Sequence, residues 1–228
     1  MIDQIEPQQV MFLLNALYFK GDWKTKFDAA KTLDTPFHLE NGTQKTVKMM
    51  YAKSDFKVAS GEKYNALQLP YANGQFNMTL LIPQGQNTVG SVISGLTPQD
   101  WNELQTTRLT KTGVNAGLPR FTLEYNAELN STLNKMGINK VFTENAAQLG
   151  KINKTADIFV DFVKQNTYLN IDEKGTEAAA VTTIGIGFTS APPSEPKFIC
   201  DRPFVLIISE KTSNTILFMG RIMNPDSK

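Results

Sequence analysis

The chain has 228 residues, with 23 Lys and Arg against 22 Asp and Glu, for a formal net charge of +1. That near-balance excludes a field able to steer the chain to nucleic acid or to an acidic membrane surface. No run approaches the ~18 consecutive apolar residues of a membrane span, and Met1 to Glu6 lack the basic start and apolar core of a signal peptide. A single cysteine, Cys200, excludes an internal disulfide, and its apolar, strand-like surroundings predict a buried structural thiol.

In chain order, Val10 to Phe19 is apolar enough for a strand buried on both faces. Lys45 to Val58, Tyr64 to Pro70 and Phe76 to Ile82 alternate or run apolar, with Asn73-Gly74 as a hairpin turn between the last two. Short helices are predicted over Thr88 to Ser94 and Pro98 to Gln105, the second capped by Thr97 with Pro98 in its first turn. Leu118 to Tyr125 reads as a strand. Ala127 to Met136 reads as a helix closed by Gly137, with Leu129, Leu133 and Met136 on one face. A long strand follows from Ile158 to Ile171, and Phe198 to Ile208 with Thr215 to Met223 form a terminal apolar pair. There is no internal repeat and no low-complexity linker. The pattern predicts an α+β fold of mixed sheets with surface helices.

Catalytic chemistry finds little support. The only histidine, His38, stands between Phe37 and Leu39, and with Cys200 the only thiol, no histidine-bearing triad emerges. No CxxC, HExxH or carboxylate-rich calcium loop is present, so neither metal nor cofactor is expected. Asp172 and Glu173 beside Lys174 read as a solvated or ion-paired strand end. Gly185-Ile186-Gly187 is a fragment of a nucleotide loop with no helix after it.

Residues 173–193, EKGTEAAAVTTIGIGFTSAPP, are written two ways at once. Thr176, Ala178, Ala180, Thr182, Ile184, Ile186 and Phe188 are small or apolar at every second position, as on a strand with one face built for burial. Yet the run opens on Glu-Lys-Gly, closes on a double proline and holds three glycines, Gly175, Gly185 and Gly187, the marks of a long exposed loop. A chain needs both only if the loop can later enter a sheet. This string resembles the reactive loop of the serpins, the serine protease inhibitor family. Phe198-Ile199-Cys200-Asp201-Arg202-Pro203-Phe204-Val205-Leu206-Ile207-Ile208 is similar to that family's C-terminal signature, Asn15 to Trp23 to its third strand of the large sheet with the tryptophan that follows it, and Phe218 to Pro225 to its chain end.

The resemblance covers the whole chain and implies a serpin fold lacking its N-terminal two fifths, with residues 1–228 as a partial domain and the reactive loop at about 173–197. It implies a partner, a serine protease held as a covalent acyl complex, and an extracellular or cell-surface setting. The reactive bond falls between Thr189 and Ser190, suiting an elastase-like pocket; a one-residue shift presents Phe188 to a chymotrypsin-like one. The hinge comprises Glu173, Gly175, Thr176, Glu177, Ala178, Ala179 and Ala180, with no proline or charge on the inward face. Glu173 and Arg120 match the family's latch, Trp23 the tryptophan that follows its third strand, and Asn15 its mid-sheet shutter. The shutter partner, often histidine, is here Gln165, an amide that both donates and accepts. Two other readings remain open at this point: a non-inhibitory serpin-fold binding protein, or an inactive truncated product, poorly soluble and without inhibition.

Overall fold

The computed structural model describes residues 9–154, 158–176 and 196–226. Strands β1 (Phe12–Tyr18), β2 (Gly21–Asp22), β3 (Leu33–His38), β4 (Gln44–Ala59), β5 (Tyr64–Pro70) and β6 (Phe76–Pro83) come first. Helices α1 (Val89–Ser94) and α2 (Pro98–Glu103) follow, then β7 (Thr110–Pro119), β8 (Phe121–Glu128) and helix α3 (Asn130–Lys135). The chain continues through β9 (Phe162–Ile171), β10 (Gly175–Thr176), β11 (Lys197–Ile199), β12 (Phe204–Glu210) and β13 (Ile216–Ile222). These residues fall into two compact units, one of residues 1–19 and 123–169, the other of 20–122 and 170–228.

In the larger unit, one sheet runs β11-β7-β4-β5-β6-β12-β13, with β3 paired to β4. The turn at Asn73-Gly74 joins β5 to β6: Gly74 adopts φ +71°, Tyr71 N–H donates to Phe76 O at 3.0 Å, and Asn73 Oδ1 accepts from Gln75 N. Both short helices begin on reciprocal caps. Thr88 Oγ1 accepts from Ser91 N while Ser91 Oγ accepts from Thr88 N, and Thr97 and Asp100 do the same. The Thr97 side-chain bond is the main cause holding the Asp100 carboxyl below its usual range. Val89, Val92, Trp101 and Leu104 of this helical segment pack on Ala66, Leu81, Val205 and Ile207 in a buried apolar cluster.

Several boundaries differ from those expected. Leu118 to Tyr125 is two strands: the chain pairs with β4 as far as Arg120, whose N–H donates to Lys48 O, and from Phe121 it joins the sheet of β9 instead. β7 starts eight residues earlier than expected, at Thr110; its small, polar composition concealed it. Gly117 within it is required by contact, since a β-carbon there would come 2.8 Å from Ile199 and 3.2 Å from Tyr51. The apolar run from Phe198 to Ile208 also breaks, at Cys200 to Pro203, with β11 parallel to β7 and β12 antiparallel to β6 and β13.

The smaller unit holds the sheet β1-β9-β8. The helix expected from Ala127 begins only at Asn130, because Leu129 N–H still donates to Val163 O at 2.7 Å. Gly137, at φ +91°, closes it as expected, but Met136 is 71% exposed rather than packed. The strand expected from Ile158 starts at Phe162. Before it, the Asp161 carboxylate accepts from the N–H groups of Val10 and Met11 at 3.0 and 3.3 Å. The larger correction concerns β1, expected to be buried on both faces. Leu13 is 42% and Leu14 46% exposed, so adjacent residues on opposite faces are both wet. Apolar composition sets how much a strand gains from cover; it does not supply the cover.

Candidate functional site

Asp172 to Thr176 form the point from which the alternating segment departs. The Asp172 carboxylate accepts from Lys174 N at 2.9 Å and Gly175 N at 3.1 Å, and Asp172 N donates to Gly175 O at 3.0 Å. This is an Asx-type turn closed by its own aspartate, rather than the solvated or ion-paired end expected of Asp172. Gly175 sits at φ +153°, where L side chains are strained. A β-carbon there would overlap the Gly21 carbonyl and come 2.6 Å from Asp22 Cα. The turn is thus pressed onto β2, with Gly175 opposite Asp22 and Thr176 opposite Gly21.

Trp23 organises this corner. Its main-chain N–H donates to Lys174 O at 2.8 Å and its indole N–H to Asp172 O at 2.9 Å. Only 2% of it is exposed, stacked on Tyr71 with ring centroids 4.8 Å apart and edge-on to Phe27. Phe27 N–H in turn donates to Glu173 O at 2.9 Å. The Glu173 side chain, 11% exposed, accepts from Thr32 Oγ1 at 2.7 Å and from Arg120 Nη1 at 3.5 Å. Burial makes this carboxylate depend on its partners, since an unpaired buried charge is costly. Arg120 remains 41% exposed, which limits the strength of the pair. Tyr71, Phe27 and Thr32 belong to the corner but were not singled out from the sequence; for the turn made by Asp172, read there only as a strand end, the Asp-x-x-Gly spacing was the available signal.

The smaller unit contains the other expected pair. β1 and β9 run parallel in continuous register from Phe12 opposite Phe162 to Tyr18 opposite Tyr168, with Asn15 opposite Gln165. Paired residues share a face, so the two amides lie side by side across the strands. Gln165 Nε2 donates to Thr167 Oγ1 at 3.4 Å. Aromatic stacks lie at both ends of the ladder, Phe12 on Phe162 at 4.6 Å and Tyr18 on Tyr168 at 6.2 Å.

Glu177, Ala178, Ala179 and Ala180 of the expected hinge lie outside the described residues, as do Phe188, Thr189 and Ser190 and the side chain of Thr176. His38 is exposed, with Nδ1 3.2 Å from Asp201 O. Cys200 is fully buried, and desolvation followed by the nearby Asp201 charge pushes its thiol pKa well up, which disfavours a nucleophilic thiolate. Among the described residues no three His, Cys, Asp or Glu side chains gather as a metal site.

A tryptophan-pinned turn leads from the end of a parallel strand into an alternating, glycine-punctuated segment, and the family model described as Serpin (serine protease inhibitor) matches residues 1–225. The chain belongs to the serpin family. It is 35% identical over 224 residues to human Serpin B11 and 36% identical over 228 residues to the leukocyte elastase inhibitor of Sus scrofa. Both alignments cover 97% of this serpin chain, but 57% and 60% of those relatives, so it spans about three fifths of their length. Among solved serpins, thermophilic tengpin in the native state superposes with a TM-score of 0.87 at 27% identity, covering 98% of this chain and 58% of that one. Human thyroxine-binding globulin complexed with thyroxine gives 0.87 at 28%, covering 100% and 59%. The mixed sheets with surface helices are the serpin fold over this span.

Proposed function

We propose that this chain carries the insertion machinery of a suicide-substrate inhibitor of serine proteases. The observation that carries the reading is the parallel ladder between β1 and β9. β9 leads through Glu173 to the turn at Gly175, so a segment folding back from there runs antiparallel to β9 and therefore to β1. Its entry replaces one parallel ladder by two antiparallel ones, which are somewhat more stable per residue. Each added backbone hydrogen bond contributes roughly 0.5–1.5 kcal/mol net. Burial of Ile184, Ile186 and Phe188 contributes roughly 1.5–3 kcal/mol each.

The target serine attacks the Thr189 carbonyl, the Thr189–Ser190 peptide bond breaks, and the amine of Ser190 leaves while Thr189 stays esterified to the enzyme. Insertion then competes with hydrolysis of that ester. Thr176, Ala178 and Ala180 present no charge or bulk on the entering face, and the corner at Trp23, Glu173 and Arg120 resists entry before cleavage. Thr189 suits an elastase-like pocket, and the leukocyte elastase inhibitor of Sus scrofa is a relative by name. Cleavage after Phe188 serves a chymotrypsin-like enzyme instead.

The test is limited cleavage by elastase, with the cut located by mass and thermal melts recorded before and after. The reading expects a new N-terminus at Ser190, or at Thr189 for the shifted register, and a large upward shift in Tm. A cut at that bond with an unchanged Tm rejects insertion.

A further inference from the structure

A cavity of about 250 Å³ lies between the turn joining β4 to β5, the end of α1 and the segment that follows α2. Its walls come from Lys63 and Tyr64, from Val92 and Leu96, and from Asp100 and Arg108, all within one continuous stretch of the larger unit. Three features position Arg108 there. After α2 comes a wider, π-type turn over Leu104–Arg108, with Leu109 N–H donating to Leu104 O at 3.1 Å, an irregularity that recurs at functional sites. The guanidinium is stacked 5.3 Å over the ring of Tyr64, which is 5% exposed, and its Nη1 donates to the Tyr64 hydroxyl at 3.1 Å. Gly61 lets the group lie against the main chain, since a β-carbon there would come 2.8 Å from Arg108 Nη2.

The planar fork of Arg108 is therefore held in one orientation ahead of any ligand. The acids at the cavity do not occupy it. Asp100 Oδ2 accepts from Thr97 N–H at 3.0 Å and from the Thr97 hydroxyl at 2.6 Å, and these bonds lower its pKa more than the charges of Lys63 and Arg108 do. Glu62, the other acid, is exposed. Among the described residues neither Arg108 nor Lys63 stands within 4.0 Å of a carboxylate. Tyr64 accepts from Arg108 and so keeps its own hydroxyl proton for a ligand oxygen. We infer that this cavity binds a small organic carboxylate. The carboxylate takes the guanidinium nitrogen not bonded to Tyr64 together with the Tyr64 hydroxyl, Lys63 supplies a second positive charge, and the carbon skeleton lies on Val92 and Leu96. Sites for drug-sized ligands hold about 300–1,000 Å³, so this one admits only a short chain or a single ring. It does not depend on the inhibitory reading.

Benzoate is the probe, with benzamide as its uncharged isostere and inorganic phosphate as an anion without a skeleton. Titrations followed by amide nitrogen–proton NMR spectra are expected to move the signals of Lys63, Leu96 and Asp100 saturably with benzoate, and to show benzamide and phosphate at least about tenfold weaker. Arg108→Gln is expected to lower benzoate affinity at least about tenfold. Gly61→Ala keeps every charge. Position 61 has no positive φ, so the backbone accepts the methyl group while the guanidinium has to move, and several-fold weaker binding is expected from geometry alone. Circular dichroism identical to the parent shows that each variant is folded. Benzamide or phosphate binding as tightly as benzoate, benzoate shifts that do not saturate or that centre on other residues, or either folded variant binding benzoate like the parent overturns the proposal.

Discussion

Trp23 donates its indole N–H to the main-chain carbonyl of Asp172 at 2.9 Å, tying together segments 149 residues apart in sequence. The same ring is sandwiched by Tyr71 on its face and Phe27 at its edge, so packing and hydrogen bonding can be separated. Trp23→Phe keeps much of the stack but leaves the Asp172 carbonyl without its indole donor, and should lower unfolding free energy by about 1–3 kcal/mol. Trp23→Ala also opens a cavity and should cost about 3–5 kcal/mol. Denaturant titration of both variants reads the difference; equal losses would contradict the hydrogen-bonding role.

Arg120 and Glu173 form a second, weaker tie. Because Arg120 is 41% exposed, Arg120→Ala should reduce stability by no more than about 1 kcal/mol. Its larger effect should be kinetic. A synthetic peptide of residues 176–188 should enter the β1–β9 sheet several-fold faster in the variant, followed as the appearance of a species with raised Tm. Thr32, which bonds the same carboxylate, keeps Glu173 from being left unpaired.

Gly175→Ala cannot keep the present contact, since its β-carbon would meet the Gly21 carbonyl and Asp22 Cα. The strand pair of Gly175 and Thr176 with Asp22 and Gly21 should detach while the larger sheet survives. Amide exchange of Trp23, whose N–H is held by Lys174 O at 2.8 Å, should accelerate. Unchanged protection at Trp23 would show that the turn does not rely on glycine.

Acid stability should report the turn after β12. Glu210 accepts from the N–H groups of Thr212 and Ser213 and from Ser213 Oγ, and these bonds, led by Thr212 N–H, lower its pKa to about 2. A carboxylate depressed on folding stabilises the native state above its ordinary pKa of about 4.3, and this is lost as pH falls towards 2. Glu210→Gln should therefore flatten the fall in denaturation midpoint across that window and leave the slope near neutrality unchanged. An identical acid limb in both proteins would contradict the assignment.

Where local chemistry decides the structure, the sequence was readable. Tyr64 to Pro70 matched its strand at both ends, and the Thr97 and Gly137 caps sit where side chain and backbone freedom predict, while Thr88, expected inside its helix, caps it instead. Glu173 and Arg120 were paired from resemblance and stand together in space. What composition could not reveal was a break in an apolar run, as after Arg120 and Cys200, where the chain leaves one strand partner and takes up another. Nor could it reveal β7, whose small residues carry little apolar signal, or the exposure of β1. The corner around Trp23 was half visible: one tryptophan was expected there, but Tyr71, Phe27 and Thr32 come from segments that only the tertiary fold assembles.

In the proposed function the severed loop becomes a strand between β1 and β9. Ala16 and Asn166 are register partners on those strands. Spin labels on cysteines at both positions should give a distance distribution that lengthens by about 4.8 Å, one strand spacing, when elastase cuts the loop. A distribution unchanged by complete cleavage would contradict the account.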